Sequence, residues 1–442
     1  MGDCTFRGGV HPIARKELTE GKPPVPLTPK GELVFLMNQH IGKPADPVVA
    51  KGDHVLAGQK IAQAAGFVSA DIFSSVSGTV KSIEMRQTAA GTLAQAIVVE
   101  SDGEDTRVQG VAERIDYMQL GNREILERIK SAGIVGMGGA GFPTHVKLTV
   151  KEPETIRYAI ANGAECEPYI TCDDQLMQLH AAEIVEGVEI MLRLFPQAKG
   201  VICIENNKPA AIAAMEKACI GRERIHVMSM KTKYPQGGER SLISAVAGRH
   251  LHLGMLPADA GCVVDNVATI RAIYRAVCFG EPLTERLVTV SGDSVKEPGN
   301  FLVKIGTNSQ ELVDACGGWK DGIEPEKILS GGPMMGIPLV DLNVPICKNN
   351  NAITALSTDP VAASPMTACL RCGRCNRVCP LGLSPQLMQV AAQHKDYERY
   401  EKRLYGLECI ACGCCTYICP AKRPLMQLFK VTKAEIMAAK RK

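Results

Sequence analysis

The chain has 442 residues, is 45% hydrophobic and 22% charged, and carries a formal net charge of +3. That is a globular composition with room for about three domains at roughly 150 residues each, and a charge too small to argue for nucleic acid. Aromatics make up 4%, with a single Trp319, which argues against base-stacking platforms for single strands. No apolar run reaches the roughly 18 residues of a membrane-spanning helix, and the opening MGDCTFRGGVHP is not a secretory signal. The 18 cysteines therefore read as free thiols and metal ligands rather than a disulfide framework.

Residues 1–30 are rich in Pro and Gly and read as an extended arm. Residues 31–110 read as short strands with glycines at the turns. They resemble the barrel–sandwich hybrid of biotinyl and lipoyl carrier domains. The stretch 67–73, where such carriers place a lysine, has none, so a structural domain is expected. Residues 111–280 alternate helical and strand-like stretches, as an α/β domain should: 181–192 has helical apolar spacing and 200–205 reads as a buried strand. Residues 281–345 return to β character at 286–293 and 299–303, and 346–442 read as helical linkers around cysteine clusters.

Two runs carry the strongest chemical signal. Cys369, Cys372, Cys375 and Cys379-Pro380 fit C-x2-C-x2-C-x3-C-P, and so do Cys409, Cys412, Cys415 and Cys419-Pro420. This is the pattern of a two-cluster bacterial ferredoxin, in which the fourth cysteine ligates the other cluster. Cys369, Cys372, Cys375 and Cys419 are assigned to one [4Fe–4S] cluster, and Cys409, Cys412, Cys415 and Cys379 to the other. Structural zinc sites fit less well, because they pair two C-x2-C units across a longer spacer. Cys414 falls outside the spacing and reads as a spare thiol.

Cubanes move single electrons, so another site must exchange them with a substrate. Gly136-Met137-Gly138-Gly139-Ala140-Gly141-Phe142-Pro143-Thr144 contains G-x-G-x-x-G. The residues before it, 124–130, read as a helix, which argues against an ordinary Rossmann turn. The loop still suits a phosphate, with Pro143 near a helix start and Lys147 following; the alternative is a packing turn. Asn162, Glu165 and Glu167 crowd a loop after a strand expected at 155–160. Tyr234, Glu239 and Asn266 lie in two further polar runs, YPQGGER and VDNV.

In order, GMGGAGFPTHVKL, ANGAECEP, YPQGGERSL and VDNVATI resemble the FMN- and NADH-binding subunit of respiratory complex I. Together with FRGGVHP and the cysteine module, the chain is similar throughout to the RnfC family of Rnf electron transport complexes. The resemblance implies a multidomain α/β + β protein: a barrel–sandwich hybrid domain, a complex-I-type flavin domain, a β-grasp domain at 281–345 and a helical ferredoxin-like domain. It implies FMN held by Gly136, Gly138, Gly139 and Gly141, with Lys147, Asn162, Glu165, Asn266 and Tyr234 as further contacts. Phe142 would stack near the nicotinamide or adenine ring, and Glu167 and Glu239 would contact NAD(H). It departs from the complex I pattern at Met137, where an Arg stands there, at Ala164 (Asp) and at Val150 (an aromatic).

The activity so implied is ferredoxin:NAD+ electron transfer coupled to Na+ or H+ translocation. Its setting would be the cytoplasmic face of the cell membrane, where the protein would be peripheral. The implied partners are membrane and ferredoxin-like subunits and, through them, ferredoxin. Two alternatives remain at this point: a cobalamin reductase-like flavin/iron–sulfur oxidoreductase, and a non-enzymatic relay with a vestigial flavin site.

Overall fold

The computed structural model describes residues 4–108, 113–252, 254–359 and 362–440. The arm contributes β1 (Val25–Leu27). Two small sheets follow. One contains β2 (Glu32–Leu36), β4 (His54–Val55), β7 (Gly78–Gln87) and β8 (Leu93–Ser101) in the order β2-β8-β7-β4. The other contains β3 (Asp46–Pro47), β5 (Lys60–Gln63) and β6 (Ile72–Phe73). Leu33, Phe35, Ile61, Ile72, Ile97 and Val99 are buried in the core these sheets help to form, the inward set that strand alternation dictates.

Helix α1 (Asn122–Ser131) leads into the glycine-rich loop, and α2 (Thr144–Leu148) leads out of it. Then come β9 (Tyr158–Gly163), α3 (Cys172–Leu179), α4 (Ala181–Leu194), β10 (Lys199–Glu205), α5 (Pro209–Ala218), β11 (Ile225–Met230), α6 (Glu239–Ala247), β12 (Cys262–Asn266) and α7 (Val267–Phe279). The four strands are parallel, in the order β11-β10-β9-β12. Helices cover both faces of β9, β10 and β12, whose middle residues read as apolar runs, while the edge strand β11 leaves His226 and Ser229 exposed. Ala159, Ala161, Ile202 and Ile204 join the core of α4 and α7, while Ile160, Val201 and Cys203 join that of α6.

A six-stranded sheet follows, in the order β1-β14-β13-β17-β15-β16. Its strands are β13 (Glu285–Ser291), β14 (Gly299–Lys304), β15 (Lys327–Ser330), β16 (Ile337–Pro338) and β17 (Ala352–Leu356), and α8 (Ser309–Ala315) packs on it. One expectation is sharpened here and one changes. The arm is tied down, because β1 pairs in parallel with β14. Residues 352–356, expected among helical linkers, form a strand between β13 and β15. Ile353 and Ala355 fill that sheet's core, so burial rather than helix propensity decides the segment.

The C-terminal module contains α9 (Arg374–Val378), α10 (Pro385–Gln393), α11 (Cys414–Tyr417) and α12 (Leu425–Ala439) around Met388, Tyr400, Leu425 and Phe429. No described helix is long and apolar enough to cross a membrane.

Buried basic side chains join the pieces. Lys348, 1% exposed, donates to the Asp71 carbonyl at 2.6 Å and the Gly133 carbonyl at 2.8 Å. Burial lowers its pKa to about 7. Two acceptors match the two N–H groups of a neutral amine. Lys348→Met leaves both carbonyls without a partner and should cost about 1–3 kcal/mol. Lys348 titrates near 7 folded and near 10.5 unfolded, so between those values the unfolded chain holds the extra proton and stability rises with pH. In urea titrations of both proteins, the wild-type advantage should widen from pH 7 to pH 9. A constant gap would contradict a neutral buried amine.

Candidate active site

The glycine loop is not the turn after a sheet strand. It precedes β9 and is closed by a single bridge between Val135 and Pro143, with Gly136 N–H donating to the Phe142 carbonyl at 2.8 Å. Four other segments hold its backbone. Thr269 Oγ1 accepts from Met137 N–H at 2.9 Å. Arg286 donates to the Met137 carbonyl at 3.2 Å and Asn349 to the Gly139 carbonyl at 3.1 Å. Ile41 N–H of the barrel–sandwich domain donates to the Gly141 carbonyl at 3.1 Å. Met137 turns its side chain into the core, and Gly138, Gly139 and Ala140 stay exposed.

The strand order places this loop. From β9 the sheet grows through β10 to β11, then returns to the other side of β9 with β12. The topological switch point lies between β9 and β12, and the crevice beyond the carboxyl ends there is where open α/β sheets bind ligands. Asn162, next to last in β9, and Asn266, last in β12, are register partners; Asn162 and Gly163 thus belong to the strand rather than to the loop expected after it. A Cβ on Gly138 would stand 2.9 Å from the Asn266 Cβ, whereas one on Gly139 would meet nothing within 4 Å. The loop therefore lies across the switch point with one side open.

The polar residues sort into two groups. Asn162 donates to the Gly237 carbonyl at 2.8 Å, and Asn266 donates to Asp173 at 2.6 Å while capping α7. Lys147 donates to the Val264 carbonyl at 2.8 Å, facing Asp265 at 3.3 Å and Glu239 at 3.6 Å. Burial alone would lower its pKa, but the two carboxylates outweigh that and raise it, so Lys147 is a cation at the crevice. Glu239 opens α6 and Phe142 is half-buried beside the loop.

Three residues expected at the cofactor already hold backbone partners. Glu165 accepts from Asp173 N–H at 2.7 Å and Asp174 N–H at 3.3 Å, at the start of α3; burial pushes its carboxyl up to about 8. Glu167 accepts from Met334 and Met335 N–H at 3.1 and 2.9 Å, and burial pushes it up to about 7. Tyr234 is 1% exposed and donates its hydroxyl to the Cys412 carbonyl at 2.8 Å. These three bind the crevice to its surroundings, because backbone partners satisfy them first.

The cysteines gather in two pockets. One is lined by Cys409, Cys412, Cys415 and Cys379, the other by Cys369, Cys372, Cys375 and Cys419. The fourth cysteine of each run thus sits with the first three of the other. Four thiol donors around one pocket fit a cubane in both cases. The first pocket is pressed against the flavin-type domain: Cys412 and Cys414 pack with Tyr234, Met334 and Val10. The second opens outward, with Cys369 and Cys372 exposed.

The arm supplies contacts that the sequence did not assign. Val10 exchanges two backbone hydrogen bonds with Tyr234, and Gly9 N–H donates to the Val378 carbonyl at 2.8 Å. A Cβ on Gly8, at φ +84°, would come within 2.8 Å of the Cys379 carbonyl oxygen. The paired glycines of FRGGVHP were the available signal for so close an approach.

An exposed, side-chain-free backbone beside Lys147, and a buried Thr144 hydroxyl at the start of α2 without a partner, fit a phosphate group. Gly139→Ala should fold normally but weaken FMN binding by at least about tenfold, or 1.4 kcal/mol, read by quenching of flavin fluorescence. Wild-type affinity in that variant would place the flavin elsewhere.

Family models match four segments: the RnfC barrel sandwich hybrid domain over 4–104, the Nuo51 FMN-binding domain over 129–275, an SLBB domain over 287–338 and a 4Fe-4S dicluster domain over 365–420. The chain is 44% identical to the C subunit of the proton-translocating ferredoxin:NAD(+) oxidoreductase complex of Clostridium ljungdahlii, over 98% of this chain and 94% of that one. It is 40% identical to the counterpart from the Na(+)-translocating complex of Acetobacterium woodii, over 99% and 98%. Identity to the counterpart from the ion-translocating oxidoreductase complex of Rhodobacter capsulatus is 41%, over 98% and 83%. With an FMN-binding domain and a dicluster domain in one chain matched over nearly its whole length, the protein belongs to the RnfC family of Rnf complexes.

Proposed function

We propose that this chain is the FMN- and NAD(H)-binding iron–sulfur subunit of a membrane-bound complex that couples ferredoxin:NAD+ electron transfer to Na+ or H+ translocation. The observation that carries this reading is the direct joint between the two sites. Tyr234, from the run bordering the crevice, donates to the backbone of Cys412 in the inner cysteine pocket.

A bound FMN supplies the chemistry the side chains lack, exchanging a pair of electrons with NAD(H) and single electrons with a cluster. Gly136, Gly138, Gly139 and Gly141 give it a backbone cradle, with Lys147 as the cation and Asn162 and Asn266 beneath. Phe142 and Glu239, at the open side, contact NAD(H). Glu165, Glu167 and Tyr234 act as positioning residues through the amides and the carbonyl they hold. Cys409, Cys412, Cys415 and Cys379 ligate the inner [4Fe–4S] cluster; Cys369, Cys372, Cys375 and Cys419 ligate the outer one. Held there, the two clusters would supply a path for single electrons between the crevice, which the inner cysteines approach, and the surface, where Cys369 and Cys372 are exposed. The other subunits, including a ferredoxin-like one, meet the chain at the cytoplasmic face of the membrane.

The test is anaerobic reduction with NADH after reconstitution with FMN, iron and sulfide, read by flavin absorbance and EPR. Flavin bleaching by NADH is expected; a protein that retains no flavin, or whose flavin NADH does not bleach, defeats the reading. A second measurement addresses the ligands. Cys379→Ala should remove the inner-cluster signal and about half the iron while sparing the outer cluster, since each cubane draws its fourth ligand from the other run. Cys414→Ser should keep both. Loss of the outer signal in Cys379→Ala would reverse the assignment.

A further inference from the structure

The two cysteine runs share spacing and backbone. Arg371 and Ala411 have φ of 53° and 52°, and Gly373 and Gly413 have φ of 69° and 82°. They differ at six places, and three of the differences change the charge. The outer run carries Arg371, Arg374 and Arg377; the same positions of the inner run hold Ala411, Cys414 and Tyr417. Both pockets have four thiol donors, so neutralising a cluster would call for cations equally in both. The arginines stand only in the run whose cysteines reach solvent.

The surroundings carry the same bias. Neither 362–395 nor 409–434 contains an Asp or Glu, while together they hold Arg371, Arg374, Arg377, Lys422, Lys430 and other cations. Arg371, Arg374 and Arg377 are exposed, and among the described residues none of them forms an ion pair with a carboxylate. Arg423, by contrast, is fixed to Gln389 and to the Thr367 carbonyl as part of the scaffold. Exposed apolar side chains lie in the same stretch, Leu370 at 65%, which lines the outer pocket with Arg371, and Met366 at 56%. An apolar centre with a charged rim is the anatomy of a transient protein interface. Around the inner pocket the cation Arg240 is paired, with Glu408 at 3.3 Å, and Tyr234 and Met334 cover the cysteines.

We propose that the arginine-rimmed face over Cys369, Cys372, Cys375 and Cys419 docks an acidic iron–sulfur protein that exchanges single electrons with the outer cluster. This rests on the reading of those cysteines as cluster ligands. Unpaired exposed arginines around a redox centre raise the encounter rate with a partner whose own centre is ringed by carboxylates. The apolar centre then brings the two centres close. The exchange moves one electron, reducing one cluster and oxidising the other, with no bond made or broken.

The experiment uses the full chain loaded with FMN and both clusters, with a small acidic two-cluster ferredoxin as probe. Binding is measured by calorimetry, and electron exchange with the prereduced probe by stopped-flow absorbance, at low and at high salt. The double variant Arg374→Gln/Arg377→Gln should bind and exchange at least about tenfold more weakly at low salt, and should lose most of the wild-type salt dependence. NADH bleaching of the flavin and both EPR signals should be unchanged. If the wild type shows no cluster signals, the ligand reading itself has failed, a different result from failed docking. If the variant binds and exchanges like the wild type, or the wild-type rate is flat in salt, the docking face is wrong. If the variant loses the outer EPR signal, the arginines serve the cluster, and the proposal is overturned too.

Discussion

The glycine loop has no strand of its own, and much of the architecture answers to that constraint. In a Rossmann turn the preceding strand and following helix fix the phosphate-binding backbone. Here α1 leads in, and a single bridge between Val135 and Pro143 closes the loop. Its shape is set by hydrogen bonds from α7, β13, the 348–349 segment and the barrel–sandwich domain. Each contributes on the order of 1 kcal/mol, and together they hold amides open toward the switch point before any anion arrives, the preorganisation that anion recognition needs. The barrel–sandwich domain, without a carrier lysine, has a function in this frame: it is a wall of the site.

The same constraint explains the buried basic side chains. Lys348 binds Asp71 of one domain and Gly133 of another, while Arg286 binds the loop at Met137 and the Lys348 carbonyl at 2.6 Å. Lys16 of the arm donates to the Ile170 carbonyl at 2.5 Å and to that of Glu167 at 3.1 Å. Their acceptors are mainly main-chain carbonyls left over where domains meet. A long side chain with several donors can satisfy such groups from a distance, where a water or a short side chain would leave the joint loose.

The cysteine pattern was legible because a cubane imposes its spacing locally, within eleven residues of chain. The α/β alternation was legible because β9, β10 and β12 are largely buried on both faces and the long helices alternate apolar and polar sides. What escaped were residues whose partners lie far off in sequence. The five residues of β17 give no period to read, and only β13 and β15 on either side make them a strand. Tyr234 and Glu167 stand in the right motifs, but the carbonyl of Cys412 and the amides of Met334 and Met335 are 178, 167 and 168 positions away. A motif places a side chain near a site; which atoms it bonds is decided by elements brought in by the fold. The rival without a barrel–sandwich domain loses its ground for the same reason, since residues 4–104 match the RnfC model and brace the loop.

Cys414, the one cysteine that broke the spacing, follows from where its run is placed. In the outer run its position is Arg374, exposed to water. In the inner run that position is 1% exposed, against Tyr234 and Met334. An arginine there would be a buried charge without a counter-ion, a cost of several kcal/mol. A thiol is small, tolerates burial and can still donate weakly; here it reaches the Tyr234 carbonyl at 3.8 Å. Thus two copies of one cysteine spacing differ at the positions around their cysteines. The copy that meets the flavin-type domain carries packing side chains there, and the copy that meets solvent carries arginines. A repeated motif acquires an inside and an outside in this way.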